Sequence, residues 1–164
     1  MDKICYKPIG IVYSPFKEPK GVPIQPVFAK GAEGKIEIFS EYKAGLKDLE
    51  GFSHIIVIYH FHKAKEPKLE VTPFLDPTPK GVFSTRAPSR PNPIGISVVR
   101  LIGINDNVLH VSEIDMIDKT PVLDIKPYVP KFDVRKDVKA GWLEKSLKEP
   151  ILLKDDGRFS SSGK

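Results

Sequence analysis

The sequence predicts a mainly β protein, namely a small, mostly antiparallel β-barrel with short helices and a C-terminal helix. Sixteen prolines and twelve glycines among 164 residues argue against a helical bundle and favour short strands joined by shaped loops. Several apolar runs of strand length occur, without the regular alternation of strand and helix that a βαβ protein shows. No internal repeat is present. These observations favour a barrel over the other fold classes.

Three strands are predicted in the first half of the chain. Residues 4–13 form an apolar run interrupted by a proline, which predicts an edge strand or a strand start. Residues 34–39 alternate apolar and charged side chains, as a half-buried strand does. Residues 42–49 fit one or two helical turns that end near Gly51. Residues 52–61 are rich in β-branched side chains and predict a central strand.

Further strands are predicted in the second half. They cover 81–83 and 94–104, followed by a turn and a return strand at 108–111 that completes a hairpin. One face of the 94–104 strand carries isoleucines and valine, with Arg100 as the exception; Arg100 lies either at a strand edge or in a site. Residues 120–128 mix turn and strand, and residues 133–147 suit a helix.

Length and composition predict one domain over residues 1–150 and a flexible tail over 151–164. A chain of this length buries enough surface to fold without stabilising disulfide bonds or bound metals. The final residues, GRFSSSGK, carry little apolar content and are expected to remain unfolded.

Charge and cysteine content limit the class of partner and compartment. The net charge of +5 and the isoelectric point near 9.2 permit a polyanionic partner, but the lysines are scattered, so any basic patch must be assembled by the fold. Cys5 is the only cysteine, which excludes a disulfide framework within the chain and fits a reducing, cytoplasmic setting. We find neither a signal peptide nor an apolar run long enough to cross a membrane.

The stretch between the strands at 81–83 and 94–104 is the strongest site candidate, and we call residues 84–93 the arginine loop. Its three prolines fix their own φ and push the preceding residues toward extended geometry: Pro88, Pro91 and Pro93. Arg86 and Arg90 stand on this stiff frame, and their planar, charged side chains suit a carboxylate or a phosphate. The alternative is that both arginines pair with carboxylates of the protein itself.

A second stiff segment, the first proline loop, covers residues 14–27 and contains four prolines. Gln25 on this loop either presents its amide to a ligand or is an ordinary surface residue. His60 and His62 point to the same side of the central strand, but a catalytic zinc needs a third protein ligand, so we expect them to line a pocket. Composition leaves these roles open.

Other catalytic arrangements find little support in the sequence. The spacing of Asp115, Asp118 and Asp124 permits them to converge, and they then act as a base, as hydroxyl acceptors or as partners of the arginines. No serine lies in a nucleophile-elbow pattern. Neither a Rossmann glycine motif nor a P-loop occurs.

Several motifs resemble one known family. The segment TRAPSRPNPIGISVVRL resembles the signature of the TrmO-type (TsaA-like) S-adenosylmethionine-dependent tRNA methyltransferases. The segments IGIVYSPF, LEGFSHIIVIYHFH and DKTPVLDIKPY resemble further family motifs in the family's order, so the resemblance covers about Ile9 to Trp142. It implies a β-barrel methyl-donor site, a homodimer with sites near the subunit interface, and methylation of N6 of threonylcarbamoyladenosine next to the anticodon of tRNA.

The resemblance also implies which residues bind S-adenosylmethionine. They are Pro23, Ile24, Gln25, His62, Lys63, Arg90, Leu101, Asp118, Lys119, Thr120 and Pro121. Arg86 and Arg100 are candidates for substrate contact. A base is expected to take the N6 proton; Asp118 and a pocket histidine are the candidates, and the catalytic residue remains unknown.

This sequence departs from the family pattern in two positions. The family usually has PRQ where this chain has Pro23-Ile24-Gln25, so one positive charge is absent. The family usually has glycine where this chain has Lys119, which is strained if φ is positive there. The extra C-terminal domain of longer bacterial members is expected to be absent here, which leaves the mode of tRNA binding open.

Three other functions remain as alternatives. The first is a methyltransferase of the same fold with a small-molecule or other nucleic-acid substrate. The second is a barrel that binds a nucleotide-like ligand without turnover. A histidine-based metal hydrolase ranks last.

Overall fold

Strands make up most of the regular structure in the computed structural model, which describes residues 3–146 and 154–160. The strands are β1 (Gly10–Tyr13), β2 (Glu33–Ile38), β3 (His54–His60), β4 (Glu70–Val71), β5 (Lys80–Gly81), β6 (Ile94–Asn105), β7 (Val108–Ser112) and β8 (Pro121–Pro127). Six of them close an antiparallel barrel in the order β1-β2-β7-β6-β3-β8, while β4 and β5 pair separately. The predicted fold class is confirmed.

The barrel core follows the period-two pattern of its strands. On β3 the side chains of Ile55, Val57 and Tyr59 are buried, while their neighbours are half-buried on the outer face. Aliphatic side chains from the other strands fill the same interior, including Val12, Ile36, Leu109, Val111 and Val122. Burial of these apolar surfaces supplies the main favourable free energy of folding.

The apolar pattern of β6 suggests that its isoleucine-rich face lies inside the barrel, but the structure places the other face inside. The isoleucine-rich face is outside, where Ile96 is 52% and Ile102 is 56% exposed, and the inward residues are Gly95, Ser97, Val99 and Leu101. The reason is the ring of Tyr59: a Cβ on Gly95 would lie 2.4 Å from two ring carbons. The glycine at position 95 of β6 therefore makes room for an aromatic side chain on β3.

Several predicted elements are shorter than expected. The strand predicted over residues 4–13 begins only at Gly10. The strand predicted over residues 81–83 is replaced by the end of β5 at Gly81 and a 3-10 turn at Val82–Ser84. The hairpin between β6 and β7 is confirmed: Asn105 pairs with Val108, and Asp106 in the turn has φ of 58°.

The helices are short. The predicted helix at 42–49 is replaced by 3-10 turns at Ser40–Leu46 and Leu49–Gly51. The continuous helix predicted over 133–147 is wrong: α1 (Pro130–Asp133) and α2 (Leu143–Ser146) are separated by residues with positive φ, Asp137 at 56° and Gly141 at 60°. Residue 147 of that prediction lies outside the described residues. Within the described ranges, no helix is both long and apolar enough to cross a bilayer.

A second, smaller apolar core lies beneath the arginine loop. It contains Val71, Val82, Ala87 and Phe159, with Phe74 packed edge-on against Phe159 at 5.2 Å between ring centroids. Phe159 is only 7% exposed. This packing differs from the flexible tail predicted over 151–164, of which residues 151–153 and 161–164 lie outside the described residues. The domain boundary at residue 150 stays a prediction.

The contact between Gly95 and Tyr59 predicts an asymmetry between two glycines of β6. Gly95→Ala should lower the free energy of unfolding by about 1–3 kcal/mol, because the added methyl overlaps a buried ring. The matched control is Gly103→Ala, whose Cβ would meet nothing within 4 Å. Chemical denaturation of both variants measures the difference; equal stabilities would contradict the proposed packing constraint.

Candidate ligand-binding site

A cavity of about 1260 Å³ lies beside the barrel, where β3 ends and β6 begins. The arginine loop and the first proline loop form two of its walls, and Trp142 and Phe159 close a third. The residues predicted from the sequence that line it are Pro23, Ile24, Gln25, His62, Lys63, Arg86, Arg90, Asp115 and Thr120. The fold therefore brings together two loops whose contacting residues, Gln25 and Arg86, are 61 positions apart in the sequence.

Arg90 holds the arginine loop in shape. Its Nη1 donates to the carbonyl oxygens of Thr85 and Ala87, each at 3.2 Å. Ala87 itself is buried in the second core. Neither Arg86 nor Arg90 forms an ion pair with any carboxylate within residues 3–146 and 154–160. The alternative that internal acids occupy both guanidinium groups thus receives no support, and an anion site at this loop stays a prediction.

Arg86 links the two loops. Its Nη1 donates to Oε1 of Gln25, and Nε2 of Gln25 donates to the carbonyl oxygen of Ile24 at 2.7 Å. The Gln25 amide is therefore an internal connector of the cavity wall, rather than the surface residue that the sequence left open. Any ligand contact by Gln25 remains a prediction.

His62 lines the cavity, and its contact with Thr120 indicates which ring nitrogen carries the proton. Thr120 Oγ1 donates to the carbonyl oxygen of Ile117 at 2.7 Å, so its single proton is used there. His62 Nδ1 lies 3.4 Å from the same Oγ1, which leaves Nδ1 as the donor and Nε2 as the acceptor. Burial, with smaller contributions from Lys63 and His60, lowers the pKa of His62, so the ring is neutral at neutral pH.

A buried hydrogen-bond chain ends at the cavity on Asp115. Ser97 Oγ donates to Asp115 Oδ1 at 2.6 Å, and Ser97 Oγ lies 3.3 Å from the Tyr59 hydroxyl. Since Ser97 has one proton, Tyr59 is the donor in the second bond. Burial raises the pKa of Tyr59, which therefore stays protonated, and burial raises the pKa of Asp115 to about 7. Arg86 and Ser97 limit the rise at Asp115.

Other residues predicted to bind the donor lie outside the cavity wall. Leu101 is buried in the barrel core, four residues along β6 from Ser97. Pro121 begins β8, where it pairs with Ile11 of β1. Lys119 is exposed with φ of 64°, the strained conformation considered from the sequence, and its Nζ lies 3.7 Å from the centre of the Tyr13 ring.

Asp118 is occupied by two internal partners. Its Oδ1 accepts from the Ser14 amide at 3.0 Å, and its Oδ2 pairs with Lys17 Nζ at 2.8 Å. Burial acts to raise the pKa of Asp118, but these partners outweigh it and hold the pKa below its ordinary value. Asp118 is therefore a weak proton acceptor. Lys63 lies on the cavity wall, yet its Nζ also binds Glu18 at 3.2 Å.

The remaining candidates do not converge. Arg100 is exposed on the outer face of β6, opposite His54. Asp124 pairs with Lys126 at 2.7 Å on β8, away from Asp115 and Asp118. Among the residues that the structure describes, no three histidine, cysteine, aspartate or glutamate side chains are close enough to hold a metal ion.

Sequence reasoning gave no role in the site to Tyr59, Ser97, Trp142 or Phe159. Trp142 Nε1 donates to the carbonyl oxygen of Ser84 at 2.9 Å, which fixes it against the arginine loop. The signal for Ser97 was available: it is a hydroxyl at alternate spacing with Val99 and Leu101, two aliphatic residues of one strand. A polar side chain on a buried face needs a partner, and that partner is Asp115.

Comparison with known proteins points to one family. The sequence model of the tRNA-methyltransferase O N-terminal domain matches residues 11–134. A "Probable S-adenosyl-L-methionine-binding protein" of Pyrococcus abyssi is 60% identical over 158 residues, which cover 96% of this chain and 86% of that protein. The tRNA (adenine(37)-N6)-methyltransferase of Escherichia coli is 35% identical over 154 residues, which cover 88% of this chain and 66% of that enzyme.

A solved structure has a similar fold. The crystal structure of TrmO from Pseudomonas aeruginosa matches with a TM-score of 0.73 and 40% identity, covering 86% of this chain and 63% of the solved one. This chain thus spans less than two thirds of the solved TrmO chain.

Proposed function

The chain belongs to the family of the tRNA-methyltransferase O N-terminal domain, and from this membership we propose that it is an S-adenosylmethionine-dependent tRNA methyltransferase. Its target is N6 of the adenine next to the anticodon, in a nucleotide whose N6 already carries a threonylcarbamoyl group. The choice of adenine N6 as the target agrees with the relatives from Escherichia coli and mouse, which are named tRNA (adenine(37)-N6)-methyltransferases. We propose the threonylcarbamoyl group on N6 from the family resemblance of the sequence motifs.

The observation that carries the proposal is the cavity with its two arginines. Pockets for a single small ligand usually measure roughly 300–1,000 Å³, and this one, at about 1260 Å³, has room for a donor and a modified nucleotide. The guanidinium groups of Arg86 and Arg90 carry no ion pair within the described residues and suit the carboxylate of a methionyl or threonyl group. Phe28, Phe61 and Trp142 supply apolar walls for an adenine ring.

The donor, when bound, supplies an electrophilic methyl group on a positively charged sulfur. Transfer of a methyl group is an in-line displacement, so holding two partners in register accounts for most of the rate. The stiff arginine loop suits this task because its shape is fixed before binding by prolines, by Arg90 and by the second core. The donor-binding residues implied by the family resemblance remain part of this proposal.

The anionic substrate agrees with the overall charge. The chain carries a net charge of +5, which attracts a polyanion such as tRNA. Cys5 is exposed and has no disulfide partner, which fits a cytoplasmic site of action.

We also propose that two copies associate. The outer face of β6 exposes Ile94, Ile96 and Ile102, an apolar stripe unusual for a strand that faces water. Ile94 and Ile96 also border the cavity, so a second copy on this face would cover its open side.

The activity has a direct test. Titration with S-adenosylmethionine should give one binding event per chain, and incubation with donor and tRNA that contains threonylcarbamoyladenosine should add one methyl group to that nucleoside by mass spectrometry. Donor binding with unchanged nucleosides would favour a binding protein or a small-molecule methyltransferase. No binding at about millimolar donor would contradict both transferase functions.

Arg90→Lys should weaken donor binding by about tenfold or more, because charge is kept but the planar fork is lost. Calorimetric titration measures the affinity, and thermal unfolding checks that a cooperative transition remains. The matched control is Arg135→Lys, whose side chain contacts only neighbouring carbonyl oxygens outside the cavity. An unfolded Arg90→Lys variant would assign this residue to loop structure alone.

The association has a separate test. Light scattering after gel filtration should give twice the monomer mass for the native chain and the monomer mass for Ile96→Glu, because a charge in an apolar interface is costly. A monomeric native chain at micromolar concentration would contradict the proposed dimer.

A further inference from the structure

The proposed reaction needs a proton acceptor, and the sequence left this role open between several acids and a pocket histidine. An N6 that carries a carbamoyl group has its lone pair delocalised into the carbonyl, so it attacks a methyl group well only as its proton leaves. General bases work best when their pKa lies near the working pH and when they reach the proton directly. Three groups are candidates: His62 and Asp115, which line the cavity, and Asp118, which the family resemblance placed among the donor-binding residues.

Asp118 is excluded by its contacts. Both of its oxygens are bound, one by the Ser14 amide and one by the Lys17 ammonium. Its side chain is also absent from the cavity wall. An acid stabilised in its charged form by a lysine has little tendency to take up a proton.

Asp115 is held at the cavity by elements from both sides. Ser97 on β6 donates to Oδ1, and Tyr59 on β3 donates in turn to Ser97. Arg86 of the arginine loop is the positive charge that acts on Asp115, while Glu113 and His62 line the same cavity. Among the described residues, Oδ1 has a side-chain partner and Oδ2 has none, so we assign Oδ2 as the oxygen that accepts a proton.

We propose that Asp115 is the catalytic base of the methyl transfer and that Ser97 and Tyr59 are its positioning residues, a role that rests on the proposed function. Oδ2 of Asp115 takes the proton of N6 as the N6 electron pair forms the bond to the methyl carbon. The bond between sulfur and that carbon breaks, and its electron pair stays on sulfur. The products are the methylated base, neutral S-adenosylhomocysteine and a protonated Asp115, which returns its proton to water.

The environment of Asp115 also indicates which substrate it can serve. Burial holds its pKa at about 7, so at neutral pH about half of the molecules carry a carboxylate that takes up protons more readily than an exposed one. An unmodified adenine amine holds its protons more firmly than an N6 that is part of a ureido group. A base of this strength therefore takes the proton of a carbamoylated N6 more readily than a proton of an unmodified adenine amine.

The first test compares Asp115→Asn with the native chain in single-turnover methylation of tRNA at saturating donor. The substitution should slow transfer by about 10²–10⁴-fold, while affinity for S-adenosylhomocysteine changes little. The matched control is Asp124→Asn, whose carboxylate pairs with Lys126 on β8 and which should transfer methyl groups at the native rate. A rate within tenfold of native, or loss of product binding, would overturn the role of Asp115 as a base.

The second test is the pH dependence. The native transfer rate should rise with pH to a plateau above an apparent pKa near 7, and Ser97→Ala should move this rise to higher pH because Ser97 helps to keep Asp115 ionised. If His62→Gln abolishes the rise and Asp115→Asn keeps it, His62 is the base and the proposal is wrong. Ser97→Ala also gives a result where Asp115→Asn does not fold.

A third readout does not depend on turnover. The folded chain keeps the Asp115 proton up to about pH 7, whereas the unfolded chain loses it near pH 3.8, so stability from this group is complete below pH 3.8 and is lost as pH rises toward 7. Asp115→Asn should remove this part of the decline in denaturation midpoint. An unchanged pH profile of stability would contradict the buried carboxyl. An inactive native chain that still binds donor would instead overturn the tRNA reaction, and the catalytic role with it.

Discussion

The placement of the Tyr59 ring against Gly95 is the constraint on which the rest of the structure depends. The ring occupies the barrel interior at the end where the core meets the cavity, and a Cβ at residue 95 would overlap it. Small inward residues on β6 follow from this, and with them the outward position of the isoleucines. The same ring brings a hydroxyl to Ser97, and Ser97 brings the Asp115 carboxyl to the cavity. One packing requirement thus sets the strand faces and places the acid.

The cavity has a rigid wall, formed by the arginine loop, and an acidic group, the carboxyl of Asp115. Prolines, the Arg90 guanidinium and the core around Phe159 shape the arginine loop from inside, and Arg86 ties it to the first proline loop through Gln25. These contacts use only part of each guanidinium group. The positive arginine loop faces a carboxyl of raised pKa: Arg86 favours the ionised form of Asp115, which burial disfavours.

The sequence predicted the parts of the fold that depend on local patterns. Alternation along β2, the apolar and β-branched content of β3 and the hairpin turn at Asp106 predicted strands of the barrel, and the family resemblance is confirmed by the matched family. The face of β6 was not predictable from hydrophobicity, because its most apolar residues lie outside and a glycine and a serine lie inside. The helix expected over 133–147 failed because left-handed residues interrupt it. The site was only partly predictable: the arginine loop was evident, but the Asp115 chain depends on strand pairing between segments that the sequence does not connect.

The position of Phe159 has a consequence for the order in which the molecule is assembled. All six barrel strands lie before residue 128, so on a ribosome the barrel is complete in the nascent chain before Phe159 has been synthesised. The arginine loop is synthesised much earlier than Phe159, which follows Ser89 by 70 positions and packs beneath the loop. The barrel strands therefore precede this part of the cavity in the order of synthesis, and the binding cavity reaches its final shape only after the segment around Phe159 has been added.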